Sequence, residues 1–235
     1  MPERQILAIG GGGVSQDPQN PLLLDYLIGL TGKAQPRVCI VGTATGDRDS
    51  GLVSAYRAFG RRGCAVTHLG LFTREVEDIR SFILAQDLVY VGGGNTASML
   101  AVWRVHGLDA ILREAWEAGI VLGGVSAGAI CWFEAGITDS FGPTLQALND
   151  GVSFLAGSCC PHYDGEIQRR PTYHRCIAGG LPTGIALDDG TAALYRGTTR
   201  AEIVTSRPEA GAYWLERDAT TGEAIETPLE VRFLG

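Results

Sequence analysis

The chain has 235 residues, of which 45% are hydrophobic and 19% charged, enough apolar content to build the core of one α/β domain spanning 1–235. Its net charge is −7 and no cluster of lysines and arginines stands apart, which argues against nucleic acid and against an anionic membrane surface as partners. No apolar run approaches the roughly 18 residues of a membrane span, and the run at 6–9 is too short for a signal peptide, so a cytoplasmic protein is expected.

Strand-like and helix-like segments alternate through the first two thirds. A strand is expected at 6–9, followed by glycines at 10–13. Asn20-Pro21 supplies a cap and a first-turn proline for a helix over 22–30, closed by Gly32. A strand at 37–42, a helix at 50–59 ending at Gly60, and a strand at 65–69 come next. Val76, Ile79 and Ile83 recur at helical spacing within 75–84. A strand at 88–91 runs into Gly92-Gly93-Gly94-Asn95-Thr96, helices follow at 97–105 and 109–118, and a strand at 120–123 leads to a helix-compatible segment at 129–133. This alternation predicts an α/β fold with a mostly parallel sheet covered by helices on both faces. An amphipathic helix is expected at 171–178. Short β-like runs at 184–188, 191–196, 201–205, 212–216 and 229–233 are expected to extend or flank the sheet in antiparallel fashion.

The six cysteines (Cys39, Cys64, Cys131, Cys159, Cys160 and Cys176) contain no Cys-x-x-Cys pair, and most sit in apolar stretches. Buried free thiols in a reducing compartment fit this pattern better than a zinc site or a disulfide framework, and no metal is expected.

Between the strand at 120–123 and the helix-compatible segment lies Gly124-Val125-Ser126-Ala127-Gly128, the arrangement of a nucleophile elbow. The turn is so tight that the positions two before and two after the serine must lack bulk, and Gly124 and Gly128 meet that demand. A serine nucleophile needs a base, and four histidines are present: His68, His106, His162 and His174. His68 and His106 sit at element ends and read as structural, and His174 lies within a helix. His162, in Cys160-Pro161-His162-Tyr163-Asp164, follows an apolar segment at 153–156 that would deliver it to the edge carrying the elbow. The carboxylate that orients the imidazole stays open among Asp139, Asp164, Glu166, Asp188 and Asp189. Asp189-Gly190 also reads as a hairpin turn, and Asp139 as a cap or turn former. The Gly92–Thr96 loop lacks the Lys-Ser/Thr of a phosphate loop. Gly93 or Gly94 instead suits a backbone donor that stabilises an oxyanion together with Ala127.

Taken together, the glycines at 10–13, Gly93-Gly94-Asn95-Thr96, Gly124-Val125-Ser126-Ala127-Gly128-Ala129, Pro161-His162, the Gly165-Glu166 to Arg169-Arg170 segment and the strand at 184–188 resemble the dipeptidase E and cyanophycinase group of serine peptidases. The fold of that group is related to class I glutamine amidotransferase domains, and the short chain places it nearer dipeptidase E. The resemblance implies Ser126 as nucleophile and His162 as base. It points to Asp188 for the acid, with Asp189 second and Asp139 a further alternative. It implies an oxyanion site at Ala127 and Gly94, no cofactor, and a short peptide substrate with an N-terminal acidic residue, as monomer or homodimer. Arg169 or Arg170 would read the acidic side chain, and Asn95 would also bind substrate. The rivals are a hydrolase of β-aspartyl-arginine units and a non-catalytic amidotransferase-like domain that binds a ligand.

Overall fold

The structure, a computed structural model, describes residues 3–12 and 20–235. Of the expected glycine turn, Gly13 lies outside the described residues. The first half alternates β1 (Gln5–Ile9), α1 (Leu22–Gly29), β2 (Arg37–Val41), α2 (Asp49–Gly60), β3 (Ala65–Leu69), α3 (Ile79–Leu84), β4 (Leu88–Val91), α4 (Thr96–His106), α5 (Leu108–Glu117) and β5 (Val121–Val125). The second half adds α6 (Ala127–Ile130), β6 (Phe133–Thr138), β7 (Gln146–Leu148), β8 (Leu155–Cys160), α7 (Arg169–Ala178), β9 (Gly184–Leu187), β10 (Thr191–Arg196), β11 (Thr199–Thr205), β12 (Ala212–Arg217), β13 (Ala224–Pro228) and β14 (Arg232–Phe233).

Among the described residues the strands form an eight-stranded sheet, ordered β14-β11-β10-β1-β5-β4-β2-β3, and a six-stranded sheet, ordered β13-β12-β9-β8-β6-β7. In the first sheet β1, β5, β4, β2 and β3 are all parallel. Strands β2 to β5 reproduce the 2-1-3-4 order of a flavodoxin-type doubly wound sheet, and β1 takes the fifth position. Every residue of β1, β4 and β5 is buried, the mark of parallel strands covered on both faces.

The expected single sheet is therefore only part of the architecture. β10 and β11 extend it in antiparallel fashion as anticipated. β9, β12 and β13 instead join β6, β7 and β8 in a second sheet, in which β6, β8 and β9 run parallel. The helix expected over 129–133 is a single turn, α6, because β6 already starts at Phe133. The helix expected from 75 begins only at Ile79, where the Asp78 carboxylate caps it by accepting the Ser81 N–H at 2.9 Å.

One apolar cluster joins the two sheets. At its centre Trp132 lies 6.1 Å from Trp103 and 5.7 Å from Phe154, which in turn stacks on Trp116 at 5.5 Å. These rings sit directly behind the elbow and fix where its helix can go. Among the described residues no helix is long and apolar enough to cross a membrane.

The glycines of the elbow answer to packing. A Cβ on Gly128 would stand 2.3 Å from the Val91 carbonyl oxygen, and one on Gly124 2.3 Å from that of Gly128. Gly51, inside α2, has open space around it. Gly128→Ala is expected to cost roughly 3 kcal/mol, lowering Tm by roughly 6–12 °C for a chain of this size. Gly51→Ala should be neutral or stabilising. Calorimetry on the two variants checks this, and equal melting temperatures would contradict the packing argument.

Candidate active site

The site forms where three buried segments meet the C-terminal end of β1. The Ser126 N–H donates to the Ile9 carbonyl at 3.0 Å, the His162 N–H to the Gly10 carbonyl at 3.3 Å, and the Gly190 N–H to the Gly11 carbonyl at 3.0 Å. Three consecutive carbonyls thus hold the serine, the histidine and the turn that follows Asp189.

Ser126 stands between β5 and α6 with φ 58° and ψ −112°, a backbone conformation that L side chains rarely adopt. Its carbonyl accepts from Ala129 at 2.9 Å and Ile130 at 3.0 Å, which starts α6 immediately. The side chain is half-buried, and among the described residues its hydroxyl makes no hydrogen bond. Gly93 flanks it, since a Cβ there would lie 3.2 Å from the Ser126 Cβ and 3.7 Å from its Oγ. Gly94 faces elsewhere: it has φ 138°, and a Cβ would meet the Ala44 carbonyl oxygen at 2.3 Å.

His162 follows β8 and is buried, again with positive φ, 54°. Its Nδ1 lies 2.6 Å from Oδ1 of Asp189. This hydrogen bond holds the Asp189 carboxyl below the ordinary carboxylate range, against the opposing effect of burial. A proton on Nδ1 leaves Nε2 with its lone pair free to accept another. Two glycines make room for the pair. A Cβ on Gly11 would fall 1.7 Å from Asp189 Oδ1 and 2.5 Å from His162 Nδ1, and one on Gly165 would fall 2.3 Å from Asp189 Oδ2. Asp164 Oδ1 accepts the Asp189 N–H at 2.7 Å, while Arg207 donates to the Asp189 carbonyl at 3.1 Å and to Asp164 at 3.2 Å. The sequence reading missed Gly11 and Arg207 as parts of this arrangement. Gly11 was visible only as one of a run of glycines, and Arg207 lies 45 positions beyond His162.

The expectation of Asp188 beside the histidine is corrected by the strand geometry. Side chains at the end of β9 alternate between faces, so Asp188 turns toward β12, where its Oδ2 accepts the Gly211 N–H at 2.8 Å. Burial pushes the Asp188 carboxyl up to about 6, with the Gly211 hydrogen bond opposing. Asp189, one residue on, faces Gly11 and His162 and also opens a turn, with Gly190 at φ 79°. Asp139 is exposed and makes no side-chain hydrogen bond among the described residues.

Three expected substrate contacts are also occupied internally. Asn95 caps α4, accepting from Ser98 at 2.8 Å and donating to the Ser140 carbonyl at 3.0 Å. Arg169 is buried, donating to Glu166 at 2.8 Å and to the Ile137 carbonyl at 2.6 Å. Arg170 pairs with Glu226 and lies over the rings of Tyr163 and Tyr213, 5.3 and 5.0 Å from their centres. Glu226 also accepts from Tyr163 and lies 2.7 Å from His174 Nε2, so His174 belongs to this network, away from Ser126 and His162. Five of the six cysteines are buried and none is bonded to another, as expected.

The strained serine turn on a doubly wound sheet, beside a histidine–carboxylate pair, defines the class as a hydrolase that works through a serine. Comparison with known proteins agrees. Residues 6–203 match the model of Peptidase family S51, and the chain belongs to that family of serine-type peptidases. It is 46% identical over 233 residues to a Bacillus subtilis protein named "Uncharacterized peptidase YgaJ", covering 99% of this chain and 100% of that one. It is 29% identical over 157 residues to "Peptidase E" of Shewanella denitrificans, covering 61% of this chain and 65% of that one. Its fold is similar to that of a peptidase from an acI-B1 Actinobacterium, with TM-score 0.68 at 18% identity over 97% of this chain and 95% of that one.

Asp188 carries a pH signature. Its carboxyl ionises near 3.8 when unfolded and at about 6 when folded, so the stability held by the neutral form is present below about pH 4 and lost as pH rises through 6. Asp188→Asn cannot ionise, so its Tm relative to the parent is expected to rise between pH 4 and pH 7. Scanning calorimetry at both values checks this. A difference that stays constant would show that Asp188 does not titrate with folding.

Proposed function

We propose that the chain is an exopeptidase that removes an acidic N-terminal residue from short peptides through Ser126, His162 and Asp189. The observation that carries this is the 2.6 Å contact of His162 Nδ1 with Asp189, hung from the same strand end as the strained serine. His162 Nε2 takes the Ser126 proton as Oγ attacks the scissile carbonyl, and it returns that proton to the leaving amine. Asp189, kept ionised, fixes the imidazole by its Nδ1–H and stabilises the positive charge that develops. The oxyanion receives the N–H of Ala127 and an N–H from the Gly93-Gly94 turn. Neither set is used elsewhere in the backbone hydrogen bonds of the described residues. Such a donor is worth about 3 kcal/mol of barrier. Water then cleaves the acyl-enzyme with His162 again as base.

The resemblance to dipeptidase E supports the exopeptidase reading and the acidic preference. The likeness to a relative named Peptidase E supports a peptidase. The side chains of Arg169 and Arg170 no longer support that preference, since both are committed inside the fold.

Ser126→Ala is expected to lower kcat by about 10⁶-fold, and Asp189→Asn by about 10⁴-fold. Asp188→Asn should remain close to wild type. A serine-directed phosphonate should add its mass to the parent protein and not to Ser126→Ala. Labelling that persists in Ser126→Ala, or an Asp188→Asn variant more damaged than Asp189→Asn, would overturn the assignment.

A further inference from the structure

A small pocket of about 90 Å³ lies next to the elbow, lined by Val125, which precedes Ser126, and by Gly92 and Gly93. Val41, Leu52, Ala55 and Val125 contribute to its walls, and Gly93 borders it beside the serine. With about 10–15 Å³ per water-sized occupant, it accepts a side chain or chain end of several heavy atoms and excludes a longer peptide. Arg48 lines the same pocket from its exposed side, at the residue that precedes α2. Its carbonyl accepts the N–H groups of Gly51 at 3.1 Å and Leu52 at 3.3 Å, but unlike those of Arg169, Arg170 and Arg207 its side chain makes no hydrogen bond, ion pair or ring contact among the described residues.

The acidic residues on either side of Arg48 are directed elsewhere. Asp47 has φ 55°, and its Oδ2 accepts the N–H groups of Leu71 at 2.7 Å and Phe72 at 3.1 Å. Asp47 and Asp49 line a neighbouring cavity with Glu75 and His68, not this one. Among the described residues the pocket thus presents apolar walls and the uncommitted guanidinium of Arg48. A planar fork of N–H donors matches a carboxylate in bidentate fashion, and low-dielectric walls strengthen that contact.

We propose that Arg48 is the residue that reads a substrate carboxylate, and that the pocket it lines is the specificity pocket. This rests on the peptidase reading of Ser126. A short acidic peptide offers two such carboxylates, the side chain of its first residue and its C-terminus, and both present the same chemistry to Arg48. Because Arg48 supports the start of α2 through its backbone carbonyl alone, replacing its side chain removes recognition without disturbing the fold.

The test measures binding, not turnover, so it stands apart from the catalytic assignment. Calorimetric titration of Ser126→Ala with Asp-Leu, Asn-Leu and Asp-Leu-amide compares the two carboxylates. The same titrations with Ser126→Ala/Arg48→Gln and Ser126→Ala/Arg48→Lys then ask whether Arg48 reads them. Expected is a loss of about 10- to 100-fold in Asp-Leu affinity on Arg48→Gln, at unchanged Tm, with Arg48→Lys in between. Whichever of Asn-Leu and Asp-Leu-amide binds Ser126→Ala more weakly, and is then indifferent to Arg48, identifies the carboxylate read. If Asp-Leu binds no better than Asn-Leu and Asp-Leu-amide in the parent variant, or if Arg48→Gln keeps the full discrimination, the proposal is overturned. Hydrolysis of Asp-Leu by the unmodified protein is scored separately, and its absence would count against the peptidase reading of Ser126 while leaving the binding result for Arg48 intact.

Discussion

The end of β1 is the constraint on which the rest of the site depends. β1 is the seam of the large sheet, parallel to β5 on one side and antiparallel to β10 on the other. Past Ile9 the ladders stop, and the carbonyls of Ile9, Gly10 and Gly11 become free acceptors in a buried place. Buried carbonyls must find donors. Here they find the N–H groups of Ser126, His162 and Gly190, which come from three loops separated by tens of residues. Satisfying one short strand end therefore registers the proposed nucleophile, base and acid against each other. The glycines are required by the same crowding, because a Cβ at Gly10 would fall 2.5 Å from the Asp188 carbonyl oxygen and one at Gly11 would enter the His162–Asp189 pair.

This template also explains how two unfavourable backbone conformations persist. Ser126 and His162 are two of four non-glycine residues with positive φ among the described residues, each costing about 1–3 kcal/mol. Behind Ser126 the Trp103, Trp132 and Phe154 rings and the contact of Gly128 with Val91 leave the chain no alternative path. Adjacent carboxylates then diverge by environment. Asp188 is buried with one backbone N–H and its neutral form is favoured, whereas Asp189 meets an imidazole and its charge is favoured. Facing opposite sides of a strand end lets one negative charge serve the histidine without a second beside it.

The doubly wound half of the fold was legible because parallel buried strands are written as short apolar runs: β3 and β4 were read with their observed bounds, and β1, β2 and β5 within two residues of theirs. The elbow was equally plain, since its steric demand is local. The second sheet was not legible. Only two residues separate the end of α6 from the start of β6, whose apolar residues are continuous with the helical run, and β7 is only three residues long. The carboxylate that meets His162 lies one position beyond the expected Asp188 for a related reason. In sequence Asp189-Gly190 reads as a hairpin turn, and in the fold Asp189 both opens that turn and meets the His162 imidazole. The arginines after His162 were legible as residues but not as partners. Glu226, which binds Arg170, lies 56 positions away, and the Ile137 carbonyl that binds Arg169 belongs to the strand that was missed.

Those arginines show how work is divided around the serine. Arg169 ties the start of α7 to β6, and Arg170 with Glu226 clamps Tyr163, the residue next to His162. Both brace the loop that carries the histidine, which must keep an unfavourable φ while its ring stays against Asp189. The N–H donors of Arg169 and Arg170 that face this loop are spent on Glu166, the Ile137 carbonyl and Glu226. The proposed recognition falls instead to the β2–α2 connection, which carries no such brace. There the backbone of Gly93 borders both the serine and the pocket, and among the described residues the guanidinium of Arg48 has no partner to give up.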